Sequence, residues 1–238
     1  MSELTTALLY TLVPVATAAV AGTIAAFRPP HARVTSAVQH FAAGVVFAAA
    51  AIELLPELLK NSPISSLLGF ALGIVVMFSL RWAGERAERR GAGSAGLLLA
   101  TGADFLVDGV VLGAGFVAGG QTGALLTVAI SVEYLFVGVA VAAALGAVSH
   151  ARKIGIPTGL ALLTTLGAGI GVVTLAGAPG PVLATVLAFG AVAFMYLVTE
   201  ELLVRAHEQG ETAFGSVLFF VGFLLYLVIE ELAGTVPG

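Results

Sequence analysis

The chain has 238 residues, of which 59% are hydrophobic and only 10% are charged, and its mean hydropathy is +1.07. These values lie outside the range of soluble domains and indicate a polytopic membrane protein. The absence of cysteine excludes disulfide bonds and thiolate metal sites. The formal net charge of −4 identifies no partner by itself, and we expect no nucleic-acid partner.

Apolar runs of about 20 residues, separated by proline, glycine and charged residues, predict eight membrane-spanning helices. The predicted spans cover approximately 4–27, 35–58, 64–84, 95–118, 122–147, 156–176, 181–204 and 213–233. The segments between them are too short for a second domain. The sequence therefore predicts one all-α transmembrane domain over residues 1–238.

The basic residues predict how the chain is oriented in the membrane. Nine of the ten lie in or beside the first, third, fifth and seventh loops, and Lys60 alone lies on the opposite side. The nine are Arg28, Arg33, Arg81, Arg86, Arg89, Arg90, Arg152, Lys153 and Arg205. Because short cytoplasmic loops carry the excess of lysine and arginine, we expect a cell-membrane protein with both termini on the extracellular or periplasmic side.

The first acidic pair, Glu53 and Glu57, lies near the outer end of span two in "AIELLPELL". The two residues are four positions apart on one helix face, and Pro56 between them frees a backbone carbonyl nearby. His40, earlier in the same span, is interpreted as a hydrogen-bonded helix histidine rather than a ligand.

Three further acids fall near the middles of spans four and five. Asp104 and Asp108 are four residues apart in "ATGADFLVDGVVLGAGF", and Glu133 follows on the neighbouring span. An unpaired charge at this depth costs on the order of 3 kcal/mol, so such residues are functional by default. Clustered carboxylates are typical of a divalent-cation site, although a proton relay needs the same residues and spacing alone does not separate the two.

The remaining acids near helix ends suggest a route to and from this cluster. We expect Glu53, Glu57 and Glu230 to recruit cations at the outer mouth, and Glu200, Glu201 and His207 to receive them inside. The sequence holds no nucleotide-binding motif, so direct coupling to ATP is excluded and movement would be downhill or coupled to protons or membrane potential. We expect neither an enzyme nor an organic cofactor.

Four segments together resemble the Zrt/Irt-like (ZIP) family of metal transporters, in particular its GufA-like prokaryotic branch. "ADFLVDGVVLGAGF" resembles the family's fourth helix, with its signature His-Asn-x-Pro-Glu-Gly, and "ISVEYLFVGVAVA" resembles the fifth, with Ile-x-x-His-Asn-Ile-Pro-Glu-Gly-Leu-Ala. "FAAGVVFAAAAIELLPE" is similar to the second helix and "AFMYLVTEELLVRAHEQG" to the seventh. The resemblance implies a 3+2+3 bundle of eight helices with inverted repeats, and the faint similarity of "SSLLGFALG" to "SVLFFVGFL" agrees with such a repeat.

The motifs diverge from the family at the ligand positions. The two motif histidines fall on Asp104 and Glu133, and the two asparagines fall on Phe105 and Tyr134. Asp108 keeps the carboxylate of the fourth-helix motif. Asp104, Asp108 and Glu133 are therefore the predicted metal ligands.

Other ligand positions of the family are apolar in this chain. The second acid of the fifth-helix motif falls on Val137, and an acid that the family often carries on the sixth helix aligns with Ala168. The resemblance thus implies one metal site rather than two. An all-carboxylate shell suits Mn(II), Fe(II), Mg(II) or Ca(II) and weakens the preference for zinc, although Zn and Cd remain candidate substrates.

These observations predict a transporter of divalent metal cations that works by alternating access. An alternative is a ZIP-fold protein that has lost metal transport and acts as a proton or ion pathway or as a sensor. A more remote alternative is an intramembrane aspartyl protease, which would use aspartates from separate helices in a Gly-x-Gly-Asp context that "GADF" and "LVDG" do not supply. The sequence leaves open whether the chain forms a homodimer.

Overall fold

The computed structural model describes residues 2–59, 63–89, 94–208 and 213–234. Within this part of the chain, eight helices are long and apolar enough to cross a membrane. They are α1 (Glu3–Phe27), α2 (Ala32–Leu58), α3 (Pro63–Arg86), α4 (Ala95–Ala118), α5 (Gly120–Ala144), α6 (His150–Leu175), α7 (Gly180–His207) and α8 (Gly215–Gly234). The prediction of an all-α polytopic membrane protein is confirmed. Lys60 and Arg90, used above to orient the chain, lie outside the described residues.

The helix bounds differ from the predicted spans mainly around the fifth loop. Helix α5 ends at Ala144 rather than near 147, and α6 begins at His150 rather than near 156. The predicted span began at 156, one residue before Pro157, but the helix already starts at His150 and continues through this proline. Membrane helices tolerate proline because neighbouring helices and local adjustments satisfy the freed backbone groups.

Helices α2 and α7 each contain a wider, π-helical segment, at Ala50–Leu54 and Leu197–Leu202 respectively. In α2 this segment ends at Leu54, two residues before Pro56. Proline has no backbone N–H to donate, and its ring crowds the preceding turn. Wider turns of this kind are frequent at functional sites. Both contain predicted pathway acids, namely Glu53 in α2 and Glu200 and Glu201 in α7.

The main helix neighbours form a repeated pattern. Helix α4 packs along α6, α1 along α5, α2 along α8 and α3 along α7, while α1 contacts α6 and α2 contacts α7. If α1 is exchanged with α6, α2 with α7, α3 with α8 and α4 with α5, each contacting pair becomes a contacting pair of the same set. The exchanged helices of each pair cross the membrane in opposite directions, so the packing supports the predicted inverted repeat.

Helix α5 is the central element of the bundle. In its most apolar window 67% of the residues are buried, against 11% in α8, whose surface is left to face lipid. Helices α2, α4 and α6 all pack against α5. Any polar group in the middle of α5 is therefore enclosed by protein rather than by lipid.

Candidate metal site

The structure brings the three predicted metal ligands together. Asp104 and Asp108 project from one face of α4, and Glu133 reaches them from α5. One carboxylate oxygen from each residue lies within 4.8 Å of the other two. Oxygens at this spacing from two adjacent helices could surround a single divalent cation.

The three carboxylates differ in their exposure. Glu133 is fully buried and Asp108 is 2% exposed, whereas Asp104 is partly accessible. Both carboxylate oxygens of Glu133 lack a hydrogen-bond partner among the described residues. A buried polar group without a partner is costly, and like charges add repulsion to that cost. A cation held between the three groups would offset both costs.

A tyrosine that sequence reasoning did not assign to the site binds one of the acids. The hydroxyl of Tyr134 donates a hydrogen bond to Oδ2 of Asp108 at 3.2 Å and is also hydrogen-bonded to the hydroxyl of Thr164 on α6. Its ring stacks on Phe105 with 3.8 Å between the ring centroids. The two positions that carry asparagine in ZIP motifs thus hold an aromatic pair here.

A short repeat in the sequence marks these residues. Helix α4 reads Asp-Phe-Leu-Val-Asp-Gly from Asp104, and α5 reads Glu-Tyr-Leu-Phe-Val-Gly from Glu133. Both fit acid, aromatic, leucine, two further residues and glycine, and α4 and α5 exchange with each other in the packing pattern. Tyr134 follows Glu133 as Phe105 follows Asp104, so this repeat could have placed Tyr134 beside the acids. Nothing in the local sequence of α6 indicated Thr164.

Glycines place α4 directly against α6 behind the site. A Cβ atom on Gly109 would meet the backbone carbonyl of Thr164, and one on Gly113 would lie 2.6 Å from the carbonyl oxygen of Ala168. Gly167 of α6 faces the backbone of α4 in the same way. Small residues at such contacts let membrane helices approach closely. The contact fixes the backbone next to Asp108.

A cavity of about 250 Å³ leads from one end of the bundle to Asp104. Its wall includes Arg81 and Glu85 near the end of α3, and Arg205 near the end of α7. These helix ends precede the basic third and seventh loops. The cavity therefore opens on the side that the basic residues predict to be cytoplasmic.

The predicted inner pathway residues divide into two groups. Glu200 and Glu201 line the cavity, and each is ion-paired with an arginine: Glu200 with Arg81, and Glu201 with Arg205 at 3.4 Å. His207 is not among the described residues that line the cavity, and its ring lies 5.3 Å from the ring of His40. His40 itself is hydrogen-bonded through Nδ1 to the carbonyl of Ser36, as predicted for a helix histidine.

The predicted outer acids lie apart from the three central carboxylates. Glu53 is 8% exposed, and the charges of Glu57 and of Glu230 on α8 are close enough to act on it. The hydroxyl of Thr122, near the start of α5, is a neighbour of the same carboxylate. Acids from α2 and α8 thus meet beside the N-terminal end of α5.

Comparisons with known proteins add no family assignment. No model of a known protein family matches the sequence, and a search of curated proteins finds no match. The resemblance of four helices to ZIP transporters therefore stays a prediction. The function has to be argued from the site.

Proposed function

We propose that this protein is a membrane transporter of divalent metal cations, which binds the ion between Asp104, Asp108 and Glu133. The observation that carries the proposal is a set of three carboxylates with oxygens within 4.8 Å of one another, enclosed in the middle of a membrane bundle. Carboxylates in such a place cost free energy and are typical of an ion pathway. The resemblance of the helices around the site to ZIP transporters supports the same function.

The ligand chemistry favours hard or borderline cations. The candidate shell offers only carboxylate oxygens, with space in the cavity for water to complete the coordination of a bound ion. Oxygen ligands suit Mn(II), Fe(II), Mg(II) and Ca(II), whereas imidazole would favour Zn(II). We expect Mn(II) or Fe(II) to be transported at least as well as Zn(II).

The cavity and the repeated packing support transport by alternating access. In this conformation Asp104 is reached from the basic side, while Glu133 and Asp108 are buried. The inverted repeat allows a second conformation in which the opposite side opens past Glu53, Glu57 and Glu230. A released cation would meet Glu200 and Glu201, whose ion pairs with arginine are partly exposed and worth about 0–1 kcal/mol, so they can exchange partners readily.

A proton or ion pathway, or a sensor that binds metal without moving it, is the second function to test. Its support is the hydrogen-bonded chain from Thr164 through Tyr134 to Asp108, which leads away from the cavity into α6. Metal-independent proton flux would favour the proton pathway. Stoichiometric binding of metal without flux would favour the sensor.

The test is uptake of Mn(II) into proteoliposomes by the wild type and two matched variants. Glu133→Gln removes the buried central acid, and we expect at least a tenfold loss of uptake. Glu231→Gln makes the same change at an exposed position on α8 and should leave uptake unchanged. Wild-type uptake by Glu133→Gln at equal protein content, or equal losses in both variants, would contradict the proposal.

A further inference from the structure

The hydrogen bond between Tyr134 and Asp108 commits one oxygen of a proposed ligand. A phenol hydroxyl has a single proton, and the Tyr134 hydroxyl has two neighbours, Asp108 Oδ2 at 3.2 Å and the hydroxyl of Thr164. An ionised carboxylate can only accept a hydrogen bond, so the proton of Tyr134 goes to Asp108. Thr164 then donates its own proton to Tyr134, and the two bonds strengthen each other.

The surroundings hold this arrangement in place. Tyr134 is fully buried, and its ring is stacked on Phe105, which is also fully buried. Thr164 lies on α6 where its backbone carbonyl faces Gly109, the residue after Asp108. Three helices therefore fix the donor, the acceptor and the backbone beside the acceptor.

Asp108 and Glu133 consequently offer a cation different numbers of free oxygens. Oδ2 of Asp108 already accepts a hydrogen bond from Tyr134, and no donor to Oδ1 is found in the part of the chain that the structure describes. Glu133 has no hydrogen-bond partner on either oxygen among the described residues. The hydrogen bond from Tyr134 thus competes with a metal ion for Oδ2 of Asp108 and favours coordination through Oδ1, while neither oxygen of Glu133 meets such competition from the described residues.

We propose that Tyr134 is a positioning residue that restricts Asp108 to one coordinating oxygen and thereby sets selectivity by ion size. The inference rests on the proposed function of the three acids as a cation site. Calcium takes six to eight oxygens and accepts bidentate carboxylates, whereas smaller divalent ions need fewer ligands in stricter geometry. Freeing the second oxygen of Asp108 should therefore favour the larger ion.

The first experiment compares the affinities for Mn(II) and Ca(II), measured by titration calorimetry on the purified protein. Tyr134→Phe keeps the ring and its stacking but removes the hydroxyl. Groups that orient metal ligands typically contribute 10- to 100-fold in affinity. We expect the Kd for Mn(II) to rise at least tenfold and the Kd for Ca(II) to rise less or to fall, so that their ratio shifts about tenfold towards calcium.

The matched control is Tyr226→Phe. Tyr226 is also fully buried, on α8, and its hydroxyl has no hydrogen-bond partner among the described residues. We expect this variant to keep the wild-type ratio of affinities. An unchanged ratio in Tyr134→Phe, or the same shift in Tyr226→Phe, would overturn the role of Tyr134. Failure of the wild type to bind either ion would instead overturn the proposed function, and this inference with it.

A second measurement needs no variant. Asp104 and Asp108 are the only aspartates in the chain, so labelling with ¹³C-carboxyl aspartate marks these two groups alone. The infrared splitting between the antisymmetric and symmetric carboxylate stretches distinguishes one coordinating oxygen from two. With Mn(II) bound, we expect at least one labelled group to show the wide splitting of monodentate binding. Bidentate spectra for both aspartates would overturn the inference.

Discussion

Asp104 and Asp108 are the only aspartates in the chain, and both lie on one face of α4 in the middle of the membrane bundle. With Glu133 they place three carboxyl groups within a few ångströms of one another. In ZIP motifs the positions of Asp104 and Glu133 carry histidine. At the scale of single residues, the exchange of neutral imidazole for carboxylate changes both the charge and the softness of the site.

Introducing imidazole at these two positions should therefore shift selectivity towards zinc. The double variant Asp104→His and Glu133→His removes two negative charges and introduces nitrogen ligands, which favour Zn(II) over Mn(II). Each replaced ligand could change relative affinity about tenfold, or about 1.4 kcal/mol. Competitive uptake of Zn(II) and Mn(II) in proteoliposomes measures the change. A Zn/Mn ratio that stays constant or falls, with flux intact, would show that these residues are not ligands.

Metal binding should also weaken as the pH falls. A carboxylate binds a metal only when deprotonated, so protons compete with the cation for all three acids and binding releases protons. We expect the Kd for Mn(II) to rise steadily from pH 8 to pH 5. Calorimetry in two buffers of different ionisation enthalpy counts the protons released. A constant affinity over this range would argue against carboxylate ligands.

At the scale of elements, the contact between α4 and α6 holds the site. Glycines on both helices bring the backbones together directly behind Asp108. Thr164 lies in the same contact and connects α6 to Tyr134. The geometry of the acids thus depends on a helix that contributes no acid to the cluster.

Filling this contact should damage both stability and binding. In Gly167→Ala the added Cβ would meet the carbonyl of Leu106 and lie 3.0 Å from Cα of Gly109, so α4 or α6 has to move. We expect a loss of about 1–3 kcal/mol in stability, typical of overpacking, and weaker Mn(II) binding. Thermal unfolding in detergent and calorimetry measure the two effects.

The matched control lies on the same helix. A Cβ on Gly159 meets no atom of the described residues within 4 Å, so Gly159→Ala should be neutral or slightly stabilising, because alanine is the better helix former. If Gly167→Ala binds Mn(II) like Gly159→Ala, the helix contact does not position Asp108.

At the scale of the whole molecule, the proposed transport by alternating access draws its support from the repeated helix packing and from the cavity that reaches the site. The cavity opens at the ends of α3 and α7, and Asp104 is one of the residues that line it. The basic loops on that side predict that it faces the cytoplasm. The side of the membrane on which the cavity opens therefore depends on the topology of the chain.

Cysteine labelling tests this orientation without interference, because the chain has no native cysteine. Ala140→Cys lies in the cavity wall, and we expect a membrane-impermeant thiol reagent to reach it only from the cytoplasmic side. Ser2→Cys, at the exposed N-terminal end, should react from outside intact cells. Ala129→Cys, which is fully buried on α5, is the unreactive control. Labelling of Ala140→Cys from outside, with none at Ser2→Cys, would reverse the predicted topology.

The sequence by itself determined the class of the protein and the residues of the candidate site. The spans are specified by apolar runs that are long enough to cross a bilayer. Each segment by itself bears the free-energy cost of placing polar backbone groups and charges in lipid. The same cost singled out Asp104, Asp108 and Glu133. The four-residue spacing of the aspartates already placed them on one helix face.

The tertiary structure alone decided which groups from different helices meet. The hydrogen bonds of Tyr134 to Asp108 and Thr164 join α4, α5 and α6, and the ion pairs of Glu200 and Glu201 place arginines beside two predicted pathway acids. Such contacts depend on helix rotation and separation, which here follow from glycine contacts between non-consecutive helices. The periodicity within one helix carries no information about them, because it specifies only which of its own residues share a face.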